Sequence, residues 1–295
     1  MTRLLSILLT LAFLTAASSA AAVGKKALVI GNGVYDNGMD LKNPVGDARA
    51  VAAALEFQEF EVTYAENQSL KDMTALLARF SRTLGTGDIV VVFFGGHGVQ
   101  VRGATYLLPT DAMMRDTHDL VTALALNDIL KVLKEDLRSV LVIVDACRDN
   151  PIIAAHATRS PNGGASIAGP RMDLPFGMVI GYAAQPGAVA YDGAGRHSPY
   201  VTALLRHLET PGQDVELMLR AVRKDVVLAT GGAQLPWTQS SLLDGFSLSS
   251  PDGRPAEPAR LDPRREARRV LLRAKLCGAM QRRNPGACAV AGDDG

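Results

Sequence analysis

Two residue types that together make an activated nucleophile stand fifty positions apart: His97, in Gly95-Gly96-His97-Gly98, and Cys147, in Asp145-Ala146-Cys147-Arg148. Each follows an apolar run, "DIVVVFF" before the histidine and "SVLVIV" before the cysteine. A free cysteine titrates at about 8.5 and is mostly thiol at neutral pH, so an imidazole has to generate or stabilise the thiolate before it attacks a carbonyl. The same imidazole then protonates the leaving amine. The tetrahedral oxyanion needs donors already aimed at it. A glycine after the histidine lets the backbone approach closely, which nominates the amides of Gly98 and Cys147.

Such a pair acts only if the chain brings its members together, and the surrounding pattern states how. Apolar runs at 26–31, 88–96, 139–145 and 176–183, with a further strand at 61–66, alternate with helical periods at 47–57, 69–84, 126–137, 198–208 and 215–230. A last strand is expected within "SSLLDGFSL". Strands apolar throughout and separated by helices imply an α/β fold: a mainly parallel central sheet with helices on both faces. In such sheets ligands sit outside the carboxyl ends of the strands. If the strands before His97 and Cys147 are neighbours, about 4.8 Å apart, the imidazole and the thiol meet.

Residue chemistry alone leaves other readings open. A lone cysteine is often an inert core residue, and a histidine between glycines is often structural. A metal site is not indicated, because neither C-x-x-C nor H-x-x-x-H spacing accompanies His97 and Cys147. The glycines of "IGNGVYDNG" are followed by Tyr35, Asp36 and a loop, whereas a dinucleotide fingerprint opens directly into a helix. His118, His156, His197 and His207 fall in loops or on an amphipathic helix and read as surface residues.

The motifs "ALVIGNGVY", "LKNPVGDARA", "FFGGHGVQ", "YLLPTDA" and "DACRDNP", in that order, resemble the caspase-like cysteine peptidases, specifically the metacaspase and orthocaspase type, over residues 26–246. The caspase cysteine has its histidine about 50 residues upstream. The local pattern is not the animal caspase one, since "DACRD" stands where a glutamine-led motif would. The resemblance implies a caspase-haemoglobinase-like fold and a cysteine endopeptidase acting on proteins or peptides through a Cys147–His97 dyad. It also implies that Asp47 and Asp145 line a pocket for a basic side chain, so that cleavage follows Arg or Lys. Two partly desolvated carboxylates favour a guanidinium or an ammonium. Taken alone, Asp47 reads as a helix N-terminal residue whose acid complements the dipole, and Asp145 reads equally as a strand-end acid. The alternative is a catalytically inactive caspase-like binding module of the cell envelope; a third reading is an envelope interaction protein whose sheet only supports the C-terminal basic helix.

Domain boundaries follow composition. Residues 1–22 read as a signal peptide, with Arg3 before an apolar stretch and Ala20-Ala21-Ala22 as the cleavage site. The apolar stretch is short for a membrane span, so no stable insertion is expected after cleavage, and the mature protein is expected in the periplasm or outside the cell. Residues 23–248 form the peptidase domain: a p20-like part at 23–150, a Gly/Pro/Ser/Arg-rich loop at 151–175, and a p10-like part at 176–248. A Pro-rich linker at 249–263 leads to a basic helix and tail at 264–295. In an oxidising compartment Cys277 and Cys288 are placed to close a small loop, which leaves Cys147 as the odd thiol. Arg159 and Arg171, in the long loop, are candidates for self-processing. The formal net charge of +1 gives no argument for nucleic acid. No cofactor is implied; some relatives need calcium, and no acidic cluster here has EF-hand spacing to take it. Oligomeric state is not legible.

Overall fold

The computed structural model describes residues 24–113, 117–133, 139–148 and 174–249. The signal segment, the loop with Arg159, His156 and Arg171, the linker beyond Ser249, the basic helix, and Cys277 with Cys288 lie outside the described residues.

In chain order the elements are β1 (Lys25–Gly31), α1 (Pro44–Phe57), β2 (Glu61–Glu66), α2 (Leu70–Ser81), β3 (Ile89–Gly95), β4 (Gly98–Val101), β5 (Ala104–Leu107), a 3-10 turn (Thr117–Thr122), β6 (Leu124–Ala125), α3 (Leu126–Val132), β7 (Ser139–Asp145), β8 (Met178–Tyr182), α4 (Pro199–Leu208), α5 (Val215–Ala229) and β9 (Trp237–Ser240). The main sheet has the order β2-β1-β3-β7-β8-β9. All its pairings are parallel except β8 with β9.

The apolar runs of β1, β3 and β7 are explained by what covers them. On one face Ala27, Val29, Val91, Phe93, Leu141 and Ile143 pack with the buried sides of α1, α4 and α5. On the other face Leu28, Val90, Val92, Val140 and Val142 pack with α2 and α3. Alternate residues of one strand thus feed two cores, and polar side chains are confined to the strand ends, as at Lys25, Lys26, Ser139 and Asp145. Helix starts are chemically marked: Ser69 accepts from the amide of Asp72, Ser198 accepts from the amide of Val201 at 2.9 Å, and Pro44 and Pro199 occupy first-turn positions that lack a donor requirement.

Three details differ from the sequence expectation. Helix α1 begins at Pro44, three residues before Asp47, because proline is preset for a first turn. The last strand is Trp237–Ser240, which overlaps the expected "SSLLDGFSL" only at Ser240; beyond it Ser247 makes an isolated bridge to Asp214. The segment after His97 forms a hairpin that the apolar pattern did not announce. Its two-residue turn, Arg102-Gly103, has positive φ at both positions, 49° and 81°, the geometry whose twist matches the flanking strands.

Candidate active site

Strands β3 and β7 are direct neighbours, and their register pairs Gly95 with Asp145. His97 and Cys147 each stand two residues beyond that pair, on adjoining strand tips. Both line one open cleft, together with Asp47 and Asp145. The amide of Gly96 donates to the carbonyl of Asp145 at 3.1 Å, tying the two tips together where the ladder ends.

Two glycines make this approach feasible. Gly96 has φ of +153°, and a Cβ there would come within 2.7 Å of the Tyr35 hydroxyl. A Cβ on Gly98 would lie 2.9 Å from the Ala146 Cβ and 3.0 Å from the Cys147 carbonyl oxygen, so the chain after the histidine rests directly on the chain that carries the thiol. Gly98 pairs with Leu107 in the β4–β5 hairpin. Counting outward from the Arg102-Gly103 turn, this is a non-hydrogen-bonded position of the antiparallel ladder, which turns the Gly98 N–H away from β5.

His97 is held from three sides. Its Nε2 lies 2.7 Å from the carbonyl oxygen of Met39. A carbonyl only accepts, so Nε2 carries the hydrogen and Nδ1 is left as the basic nitrogen. Its backbone N–H donates to the Tyr35 hydroxyl at 2.8 Å, and the two rings pack at 4.7 Å between centroids, tilted by 57°. Tyr35 is itself buried, which pushes its phenol well above the ordinary range, so it stays neutral. The Cys147 thiol is half-buried and donates to the Ala190 carbonyl at 3.4 Å. It is not in a disulfide.

The acidic side of the cleft is more elaborate than the sequence indicates. Asp47, in the first turn of α1, is only 1% exposed and lines the cleft. Its Oδ1 is 2.6 Å from Nδ1 of His197, and its Oδ2 accepts the Ser198 amide at 3.1 Å. Burial raises its pKa, against the opposing pull of those two donors; the charge of Asp192 raises it further. Asp145 accepts the Ser198 hydroxyl on Oδ2 at 2.6 Å. Burial pushes Asp145 up to about 7; the Ser198 hydrogen bond opposes this, and the charges of Asp47 and Asp192 reinforce it.

Asp192 is a site residue that sequence reasoning missed. It lines the same cleft, and its carboxylate accepts the amides of Lys42 and Asn43 at 2.9 and 3.2 Å. Asn43 returns a side-chain bond to the Asp192 carbonyl at 2.6 Å, so the loop is laced to the start of α1. The only available signal was an acid in the glycine-bearing stretch "AYDGAG". His197 corrects another expectation: it is not a simple surface residue, its side chain being 22% exposed and paired with Asp47. His207 is likewise 24% exposed and sits 3.0 Å from Asp225. His118 is exposed as expected. The missed residues were invisible because they come from a loop some 150 positions from the helix they touch.

Among the described residues no group of three or more His, Cys, Asp or Glu side chains is arranged to hold a metal ion. No described helix is long and apolar enough to cross a membrane.

Residues 24–247 match the caspase domain family of peptidases. The chain belongs to that caspase-like family. Two curated relatives are each 24% identical over 239 residues: mucosa-associated lymphoid tissue lymphoma translocation protein 1 of Homo sapiens and its homolog in Mus musculus. The match takes in 77% of this chain and 27% of the relative, so the chain corresponds to about a quarter of those proteins. Among solved structures, caspase-1 from Spodoptera frugiperda superposes with a TM-score of 0.59 at 16% identity, over 78% of this chain and 91% of the insect one. That likeness concerns the fold: a caspase-like parallel sheet with helices on both faces, as described above.

Proposed function

We propose that this caspase-family chain is a cysteine endopeptidase that cleaves after Arg or Lys, with Cys147 as nucleophile and His97 as its base. The observation that carries the reading is that three carboxylates, Asp47, Asp145 and Asp192, share a single cleft with a thiol and an imidazole. A peptide whose scissile carbonyl meets Cys147 places the preceding side chain among those acids. Carboxylates crowded together out of water favour a cation over any neutral or anionic side chain.

In the proposed reaction Nδ1 of His97 takes the thiol proton and the sulfur attacks the scissile carbonyl carbon. The Met39 carbonyl keeps Nε2–H in place, and the imidazolium hydrogen-bonds to it more strongly than the neutral ring does. The C=O electron pair moves onto oxygen, within reach of the Gly98 and Cys147 amides. On collapse the C–N bond breaks, His97 gives its proton to the departing amine, and a thioester remains. Water, deprotonated by His97, then attacks the thioester and releases the carboxylate with regeneration of the thiol. Loss of one oxyanion donor costs about 3 kcal/mol of barrier.

The test is hydrolysis of fluorogenic peptides ending in Arg, Lys or Asp, with Cys147→Ala and His97→Ala as controls. The expected result is release after Arg and Lys only, abolished in both variants. Preference for Asp overturns the pocket assignment, and activity surviving in Cys147→Ala overturns the nucleophile. Within the same reading, residues 1–22 direct export, checked by whether the mature chain starts at Val23 or Ala21. Arg159 and Arg171 are self-processing sites, an assignment that nicking of the Cys147→Ala protein on its own would remove.

A further inference from the structure

Asp47 and Asp145 are engaged unequally. Both oxygens of Asp47 are occupied by protein donors, Oδ1 by His197 and Oδ2 by the Ser198 amide. For Asp145 the Ser198 hydroxyl engages Oδ2. His197 stands at a boundary: its Nδ1 meets the buried Asp47, which lines the cleft, while the residue itself lines a neighbouring crevice open to solvent.

We infer that His197 is a specificity-determining residue for the basic-side-chain pocket: its protonation sets whether Asp47 presents a full negative charge to the substrate cation or one already cancelled. The inference rests on the Arg/Lys reading proposed above and assigns it a controlling group.

The electrostatics run in one direction. A neutral imidazole donates Nδ1–H to Asp47 and leaves its charge uncancelled, whereas an imidazolium at 2.6 Å neutralises it. An incoming guanidinium therefore binds more weakly to the protonated form and, reciprocally, drives the proton off the ring. Other charges around the ring belong to several elements. Asp192 and Arg196 are on its own loop, Asp145 lies beyond Ser198, and Arg206 of α4 with Asp225 of α5 line the outer crevice. Lys42 is committed to the carbonyls of Ala194 and Gly195 at 3.3 and 3.4 Å. Asp145, pushed up to about 7 by burial, also changes charge with pH, so the His197 contribution has to be read as a difference between two proteins.

The experiment uses the full chain as Cys147→Ala, which binds without turnover, and as Cys147→Ala/His197→Gln, in which the amide keeps a donor to Asp47 but carries no charge. The probe is N-acetyl-arginine amide, its binding followed by calorimetry from pH 5.5 to 7.5, with the His197 ring followed by NMR. In the single variant affinity is expected to rise with pH about fivefold more than in the double variant, the scale of one partly exposed charge pair. The probe is also expected to increase the neutral fraction of the His197 ring at a fixed pH. With Cys147 intact, His197→Gln flattens the pH profile of KM for an Arg peptide and leaves that of kcat unchanged. Identical pH dependence in both proteins, with the probe bound, overturns the role of His197 and leaves the basic pocket standing. Absence of binding at every pH overturns the pocket itself, and the inference with it.

Discussion

The hydroxyl of Ser198 donates to Asp145 at 2.6 Å while its oxygen accepts the amide of Val201 at 2.9 Å, so one side chain both caps α4 and steadies an acid beside the candidate nucleophile. The Ser198 amide meanwhile holds Asp47. The amino end of α4 is thereby aimed at two carboxylates, where the unpaired N–H groups of a helix terminus favour negative charge.

Ser198→Ala removes the cap and the donor to Asp145 but keeps the backbone bond to Asp47. Loss of the cap costs about 1 kcal/mol, measured as a lower urea midpoint. Without its donor, Asp145 titrates higher still, so KM for an Arg peptide at pH 7 rises while kcat at saturating substrate changes little. An unchanged KM at pH 7 would show that Asp145 does not contact the substrate cation.

The titration of Asp145 pulls stability and binding in opposite directions. Its pKa is raised on folding to about 7, so the folded protein holds the proton over a pH range in which the unfolded chain has released it. The contribution to stability is fully present below the unfolded value, about 4, and is lost as pH rises through about 7. Substrate cation binding strengthens over that same upper range. Asp145→Asn is expected to flatten the fall in urea midpoint between pH 5 and pH 8; a slope equal to that of the wild type refutes the assignment.

Gly98→Ala tests the contact between the strand tips. The new methyl would stand 2.9 Å from the Ala146 Cβ and 3.0 Å from the Cys147 oxygen, so one tip has to move. Overpacking of this kind costs about 1–3 kcal/mol, and the displacement carries the imidazole away from the thiol. Thermal unfolding should show the loss, and kcat for Arg peptides should fall at least about tenfold, since small misplacements of reacting groups are expensive.

Tyr35→Phe leaves the packing with His97 and deletes the acceptor of the His97 amide. A buried N–H without a partner costs about 1–3 kcal/mol. The variant should unfold earlier and lose kcat with KM nearly unchanged, because the perturbed group is the base and not the acidic pocket. A selective rise in KM would contradict this division of labour.

Much of this was legible in the chain itself. Apolar runs ending in Gly-His-Gly and Asp-Ala-Cys, separated by amphipathic helices, determined the α/β class, the sheet-end position of the site and the nomination of His97, Cys147 and Gly98, because strand burial and helix periodicity are local properties; Asp47 and Asp145 were singled out only by the resemblance of the motifs to the caspase-like family. The parallel pairing of β3 with β7, in a register that sets Gly95 against Asp145, was decided only in three dimensions. So were Met39 as the anchor of the imidazole, Asp192 as a third acid, and the pairing of His197 with Asp47. Each of these joins segments far apart in the chain through a loop of no regular period, and two of them use backbone carbonyls or amides, which every residue carries and no sequence pattern distinguishes.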